Sequence, residues 1–159
     1  MLVIGDEILS GRTRDANMYY LAGALTKIGI DLKEVRVVSD DKAAIIAAVT
    51  ALSAAHDTVI TSGGIGPTHD DITADCIAAA FDRPIDIRSD AQALLAAYYD
   101  RQGIELNAAR LRMARIPDGA TLIDNPVSVA PGFTLENVHV MAGVPPVFQA
   151  MVASVLPGL

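Results

Sequence analysis

The sequence predicts a three-layer α/β/α domain with a mostly parallel sheet and an antiparallel edge. Short apolar runs alternate with helical periodicities, aspartates and glycines mark the boundaries, and no internal repeat or linker-like stretch interrupts the 159 residues. Such alternation is typical of parallel sheets that are covered by helices on both faces. We therefore expect a single domain over residues 1–159. Because the first apolar run begins almost at residue 1, we expect it to be a piece of a somewhat longer chain.

Strands and helices are expected in a regular order. β-branched and other apolar runs predict the strands, and apolar side chains that recur every three to four residues predict the helices. The expected strands are 2–4, 32–38, 58–61, 121–123 and 138–141. The expected helices begin at Asp15, at Asp40 or Asp41, at Thr73, at Ser89 with a capping box to Gln92, after Asn107, and at Pro145. The turn at Pro131-Gly132 indicates that the antiparallel pair lies at one edge of the sheet.

The composition argues against several classes of partner. Twelve Lys+Arg against 19 Asp+Glu give a net charge of −7, so the chain as a whole repels a phosphate polymer. Trp is absent and aromatic residues make up 4%, which disfavours the stacking of nucleic-acid bases. No apolar run approaches the ~20 residues of a membrane span. We therefore expect a cytoplasmic protein that binds neither nucleic acid nor membrane. We also expect its lone cysteine, Cys76, to be buried and unreactive.

A glycine-rich segment after the third predicted strand is the strongest local signal. It reads Ser62-Gly63-Gly64-Ile65-Gly66-Pro67-Thr68-His69-Asp70-Asp71-Ile72-Thr73. Glycines leave backbone N–H groups open to an anion, and the N-terminus of the following helix favours negative charge. The segment matches neither the Walker A loop nor the dinucleotide fingerprint. It predicts a site for a small phosphorylated ligand, with a plain turn before a helix as the alternative.

Carboxylates follow three of the predicted strands. Asp6 and Glu7 follow the first strand, Asp40 the second, and Asp70 and Asp71 the third. The carboxyl ends of parallel strands share one edge of the sheet, where ligands bind in such folds. Because two carboxylates repel a phosphate, the pattern indicates a divalent cation, and Mg²⁺ binds through one or two carboxylates plus substrate phosphates. Alternatively, Asp70 caps the helix and Asp71 is solvated.

Four arginines between Arg101 and Arg115 form a local basic patch, in which Glu105 is the only acid. Such a patch either holds a phosphate or carboxylate or is a solvated helix face. His69, within the glycine-rich segment, either contacts the ligand or is solvated. These residues are secondary candidates.

Several motifs, taken in order, resemble one family. They are Gly5-Asp6-Glu7-Ile8-Leu9-Ser10-Gly11, Asp15-Ala16-Asn17, Asp40, the segment 63–73, and Asn125-Pro126 followed by Ala130-Pro131-Gly132. This set resembles the molybdopterin-binding domain of molybdenum-cofactor biosynthesis proteins, and looks closest to the N-terminal domain of competence/damage-inducible protein A. The resemblance covers essentially the whole chain. It implies a three-layer α/β fold with a phosphate-bearing ligand, molybdopterin or an adenine nucleotide, at the Gly-Gly-x-Gly loop.

The resemblance also implies roles for individual residues. In the adenylyltransferase relatives the acid at Asp71 acts with Mg²⁺ and the acid at Asp40 is implicated, so these two are the predicted catalytic residues. Asp6, Asp70 and Asp71 are the predicted metal ligands. The predicted ligand- and phosphate-binding residues are Gly5, Asn17, Ser62, Gly63, Gly64, Gly66, Pro67, Thr68 and Thr73. Since relatives form dimers or trimers, a homo-oligomer is expected.

The resemblance leaves the reaction open. Closer relatives are linked to metal-dependent hydrolysis of ADP-ribose-like pyrophosphates, whereas others transfer an adenylyl group to molybdopterin. The chain departs from the family pattern at Ser128, where glycine is frequent, and at Ala142 and Val147, which stand where the late motif has a proline and an acid. Loss of that acid favours a non-catalytic pterin- or nucleotide-binding module. None of the departures touches the glycine-rich segment, so ligand binding is the firmer expectation.

Overall fold

The computed structural model describes residues 1–159 and has three layers, with a central sheet between helices. The strands are β1 (Leu2–Ile4), β2 (Arg36–Val38), β3 (Val59–Ser62), β4 (Ile85–Ile87), β5 (Arg115–Pro117), β6 (Thr121–Ile123), β7 (Gly132–Leu135) and β8 (Val138–Met141). The α-helices are α1 (Asp6–Leu9), α2 (Asn17–Lys27), α3 (Lys42–Ala55), α4 (Thr73–Ala80), α5 (Ser89–Gln102), α6 (Ala108–Leu111) and α7 (Pro145–Val155). Short 3₁₀ turns cover 112–114 and 156–158.

The main sheet confirms the predicted fold class. Its strand order is β2-β1-β3-β8-β7-β6, and the four strands from β2 to β8 are parallel. β7 runs antiparallel to both β8 and β6, which places the antiparallel strands at one edge as expected. β4 and β5 form a separate antiparallel pair.

Two hydrophobic cores lie on opposite faces of the sheet. α3, α4 and α5 cover one face, while α2 and α7 cover the other. Strand β1 contributes side chains to both cores, because successive side chains of a strand point to opposite faces of the sheet. Leu2 and Ile4 belong to the first core and Val3 to the second, and all three are buried. Both cores hold the strands rigidly, so the residues after the strand ends have fixed positions.

Three local predictions were wrong. Residues 6–9 form a short helix, α1, where the sequence predicted a loop. The second strand begins at Arg36 rather than Leu32, because only Arg36–Val38 pairs with β1. The capping box at Ser89 is not formed: Ser89 is already helical, Arg88 is the cap residue, and no side chain caps the helix.

The other helix starts agree closely with the sequence. The carboxylate of Asp41 accepts a hydrogen bond from the Ala44 N–H, as an N-cap should. Asn107 caps α6 in the same way. None of the helices combines the length and hydropathy that crossing a membrane requires.

Candidate functional site

A cleft of about 750 Å³ opens at the carboxyl ends of the parallel strands. Its walls include residues that directly follow four strands, namely Gly5–Glu7 after β1, Asp40 after β2, Gly63–Thr68 after β3 and Ala142–Pro145 after β8. This is the edge at which ligands bind in open α/β sheets. The topology therefore brings the acidic and glycine-rich motifs of the sequence into one cavity.

The glycine loop, residues 63–68, has a backbone that only glycine accommodates at two positions. Gly63 and Gly64 have φ values of 109° and 71°. A Cβ on Gly63 would collide with the carbonyl oxygen of Ile4, and one on Gly64 would collide with the Thr73 hydroxyl. A Cβ on Gly66 would lie 2.7 Å from the carboxylate of Asp71. The absence of side chains leaves the loop backbone open to the cleft.

Consecutive N–H groups of the glycine loop have no acceptor in the protein. The Gly63 N–H donates to the Met141 carbonyl, but those of Gly64, Ile65 and Gly66 donate to no protein group. All of these residues line the cleft. Successive unpaired N–H groups in a glycine-rich turn form a concavity that binds anions.

The support residues, Asn17, Ser62 and Thr73, hold the loop from behind. The amide nitrogen of Asn17 donates to the Ser62 hydroxyl and to the Gly143 carbonyl, both at 2.8 Å. The Thr73 hydroxyl donates to the Gly63 carbonyl at 3.0 Å. All three are at most 3% exposed and do not line the cleft. Asn17 Nδ2 and the Ser62 and Thr73 hydroxyls are engaged within the protein, so we expect these residues to position the loop. Asn17 Oδ1 is buried without a partner, and direct contact of the three residues with a ligand stays a prediction.

The other predicted ligand-binding residues lie at the cleft surface. These are Gly5, Gly63, Gly64, Gly66, Pro67 and Thr68. The motif at 125–132 also reaches the cleft through Asn125, Ser128 and Ala130. Asn125 donates to the Ser128 hydroxyl and to the Ala130 carbonyl, so the serine that departs from the family pattern helps to close this turn.

The rim carboxylates, Asp6, Asp40 and Asp71, each use one oxygen within the protein and leave the other unpaired. The Asp6 N–H donates to Asp40 Oδ2 at 2.9 Å, and the Asp40 N–H donates to Asp6 Oδ1 at 3.3 Å. Asp71 Oδ2 accepts from the N–H and the hydroxyl of Thr68. Asp70 also lines the cleft, but it pairs with the exposed His69 at 2.9 Å.

The rim carboxylates share one electrostatic environment. Burial raises the pKa of Asp40, and the charges of Asp6, Glu7 and Asp71 raise it further, against the opposing effect of the Asp6 N–H. Arg12 is the one cationic side chain that lines the cleft. The cleft therefore carries uncompensated negative charge beside a loop that is built for an anion.

The free oxygens of the rim carboxylates can hold a divalent cation only if a bound ligand supplies the remaining coordinating atoms. No three His, Cys, Asp or Glu side chains are grouped closely enough to hold a metal ion by themselves. The free oxygens of the rim carboxylates are the hard ligands that Mg²⁺ prefers, and Mg²⁺ binds through one or two carboxylates together with substrate phosphates. The residues present fit such a shared site and do not fit a closed protein cage.

The remaining candidate residues of the sequence analysis do not form one group in the structure. Arg115 pairs with Asp75, and Arg110 lies over the Tyr99 ring, so the arginines do not act as one patch. Cys76 is buried as predicted, and burial raises the pKa of its thiol to about 11, which disfavours the reactive thiolate. Val147 lines the cleft although it is 7% exposed. Arg12, Thr13 and Met113 also line it. The sequence analysis did not single these three out, because nothing in the local pattern marks them.

The fold and cleft together define an α/β domain with an acidic and glycine-rich cleft at the carboxyl ends of its parallel strands. The chain belongs to the family described as "Probable molybdopterin binding domain", whose model, MoCF_biosynth, matches residues 1–159. The structure of CinA from Thermoplasma acidophilum, described as of unknown function, superposes with a TM-score of 0.89 at 33% identity, covering 99% of this chain and 94% of that one. A CinA-like protein of Citrifermentans bemidjiense is 38% identical over 164 residues, which is 100% of this chain and 40% of that protein. The resemblance to the N-terminal domain of competence/damage-inducible protein A (CinA) is thereby confirmed.

Other relatives carry different names. A "Probable FAD synthase" of Caenorhabditis briggsae is 37% identical over 164 residues, covering 91% of this chain and 31% of that protein. Solved MoaB- and MogA-type cofactor-biosynthesis proteins, at 15–23% identity and TM-scores of 0.56–0.62, share the fold. The chain spans 58–63% of the length of three relatives that are 34–36% identical.

Proposed function

We propose that the chain binds a phosphorylated nucleotide or pterin in the cleft and hydrolyses an ADP-ribose-like pyrophosphate with a divalent metal ion. The observation that supports this most directly is the meeting of unpaired N–H groups and unpaired carboxylate oxygens in one cavity. The N–H groups suit a phosphate and the carboxylate oxygens suit a divalent cation. A cation between the carboxylates and the phosphate is required, because carboxylates alone repel a phosphate.

The residues of the chain have distinct roles in this proposal. The N–H groups of Gly64, Ile65 and Gly66 bind and orient a phosphate, while the free oxygens of Asp71 and Asp6 hold the metal. A bound divalent cation supplies polarisation of a phosphoryl oxygen and lowers the pKa of bound water. Asp40, with its pKa raised by burial and by neighbouring carboxylates, is suited to accept a proton from the attacking water. Water then cleaves the P–O–P bridge, and ADP-ribose yields AMP and ribose 5-phosphate.

The test is the release of AMP. ADP-ribose, FAD and ATP are each incubated with the chain and Mg²⁺, Mn²⁺ or Co²⁺. We expect metal-dependent AMP formation that falls about 100-fold or more in Asp71→Asn. Asp118→Asn is the matched control, because Asp118 is exposed and lies outside the cleft. Absence of AMP from every pair, with the chain folded, would contradict the hydrolase proposal.

A non-catalytic binding module is the second candidate, and Val147 is the observation that favours it. This apolar side chain lines the cleft where the family motif has an acid. If the missing acid is essential, the chain binds ADP-ribose without cleaving it. Val147→Glu then gains metal-dependent AMP release, whereas Val147→Gln does not. Equal turnover of wild type and Val147→Glu would remove this candidate.

Adenylyl transfer to molybdopterin is a third candidate. The similarity to a protein named as a FAD synthase supports chemistry on an adenine nucleotide, and the shared fold with MoaB-type proteins is compatible with transfer. Incubation with ATP, Mg²⁺ and molybdopterin separates the two reactions. Transfer gives adenylylated pterin and pyrophosphate, whereas hydrolysis gives free AMP.

A further inference from the structure

A small crevice of about 20 Å³ adjoins the cleft. It shares Ile65, Gly66, Asp71 and Met113 with the cleft, so the two cavities meet at the end of the glycine loop. A space of this size accommodates about one water-sized group, such as a single oxygen of a phosphate that itself lies in the cleft. Its remaining wall includes two arginines, Arg112 and Arg115.

The two arginines differ in their partners. Arg115 pairs with Asp75, whereas Arg112 takes part in none of the chain's ion pairs and donates no side-chain hydrogen bond. The Nε atom of Arg112 is shielded from solvent and has no partner. A guanidinium N–H held away from water without an acceptor costs free energy, and the cost is removed when an anion supplies the acceptor.

Neither acid that lines the crevice forms an ion pair with Arg112. Asp75 is paired with Arg115, and Asp71 accepts hydrogen bonds from Thr68 through Oδ2 while its Oδ1 stays unpaired. Apolar side chains, including Met113, Ile116 and Phe133, form part of the remaining wall. Charge interactions are stronger in such surroundings than in water. Arg112 is therefore a cation without an ion-pair partner, in a crevice that shares Ile65 and Gly66 with the glycine loop.

We propose that Arg112 binds a second phosphate group of the ligand at Gly66, so that the site selects ligands with two linked phosphates over monophosphates. This inference rests on the proposed function, because it takes the glycine loop as the site of the first phosphate. In this arrangement, the cation held by the rim carboxylates contacts the first phosphate, and Arg112 contacts the second. A guanidinium suits this role because its planar donors match phosphate oxygens in pairs.

The test measures binding of two probes that the chain cannot hydrolyse at a P–O–P bond. Methylenediphosphonate carries two linked phosphonates and methylphosphonate carries one, and both are titrated calorimetrically in the presence of Mg²⁺. We expect Arg112→Met to weaken methylenediphosphonate binding by about 10- to 100-fold, with less than about a threefold change for methylphosphonate. Arg112→Lys is expected to recover part of the loss, since it keeps the charge but not the paired donors. Arg101→Met is the control, because it removes one exposed positive charge outside both cavities.

A second measurement keeps the inference separate from folding and from catalysis. The Nε–H signal of Arg112, identified by its loss in Arg112→Lys, is followed by NMR in the wild type during titration with methylenediphosphonate. We expect a shift that saturates with binding. An unmoved signal, no binding by the wild type, or equal affinity of wild type and Arg112→Met would overturn the inference. Binding with a shifted signal but no AMP release would instead overturn only the proposed hydrolysis, and AMP release unaffected by Arg112→Met would overturn only the role of Arg112.

Discussion

The support residues lie behind the glycine loop and the rim carboxylates lie at the cleft surface, and the two groups differ in how they affect stability. Asn17 and Thr73 are buried and donate to the carbonyls of Gly143 and Gly63, so we expect them to stabilise the fold. The rim carboxylates are partly exposed and keep unpaired oxygens, and burial, followed by the charges of the neighbouring carboxylates, raises the pKa of Asp40. The comparison indicates that the buried support residues stabilise the fold, whereas the rim carboxylates beside them destabilise it. Functional sites often carry such a cost in stability.

The largest expected effect is on the loop backbone. Gly63→Ala places a Cβ against the Ile4 carbonyl at a φ of 109°, where no small shift relieves the collision. We expect a loss of about 3 kcal/mol or more in the free energy of unfolding, measured by urea denaturation. Gly23→Ala is the control, because a Cβ there meets nothing within 4 Å and α2 gains helix propensity. A Gly63→Ala variant as stable as the wild type would contradict the described loop geometry.

Asn17→Ala is expected to have the next largest effect. It removes two buried hydrogen bonds of 2.8 Å and leaves the Gly143 carbonyl unpaired. We expect a loss of about 2–3 kcal/mol in unfolding free energy, together with weaker binding of methylenediphosphonate. Asn137→Ala is a matched control, since the Asn137 amide also donates twice but lies beyond the cleft. The support role is contradicted if both variants lose stability equally and both retain full affinity.

The smallest expected effect has the opposite sign. Because the pKa of Asp40 is raised in the folded state, the ionised carboxylate destabilises the fold, and this penalty is absent below the unfolded-state pKa. The penalty grows as pH rises through the two pKa values and is complete above the folded-state pKa. Asp40→Asn should therefore be more stable than the wild type at pH 7 by on the order of 0.5 kcal/mol after solvent screening, with no gain at low pH.

Melting temperatures of Asp40→Asn and wild type across a pH series check this expectation. AMP release should fall in the same variant, because Asp40 is proposed to accept a proton from water. A variant that is less stable at pH 7 and equally stable in acid would show that Asp40 is held in a favourable charged state, contrary to its raised pKa.

The position of the site could be predicted because it depends on topology. Asp6, Asp40 and Gly63 each follow a parallel strand, and parallel strand ends share one edge. The strands themselves were recognisable from runs such as Val59-Ile60-Thr61, which consist of β-branched residues. β4 and β5 were missed because three-residue strands with charged or proline residues give too little periodicity. β7 was missed because it begins at Gly132, which was assigned to a turn.

The direction of individual side chains could not be predicted. Ser62 and Thr73 have the hydroxyls of a phosphate site, yet both face the protein. The Thr73 hydroxyl donates to the Gly63 carbonyl, and the Ser62 hydroxyl accepts from the Asn17 amide. Arg112 and Arg115 are indistinguishable in the sequence as members of one patch. Only their tertiary partners separate a paired arginine from an unpaired one.

The central claim is that the glycine loop and the rim carboxylates form one site for a metal ion and a phosphate. Its most direct test is the thermodynamic coupling between Mg²⁺ and methylenediphosphonate, taken from melting temperatures with each alone and with both. We predict that the joint stabilisation of the wild type exceeds the sum of the separate effects, and that Asp71→Asn makes the two effects additive. Additive effects in the wild type would show that the cation and the phosphate do not meet in this cleft, and would contradict the account.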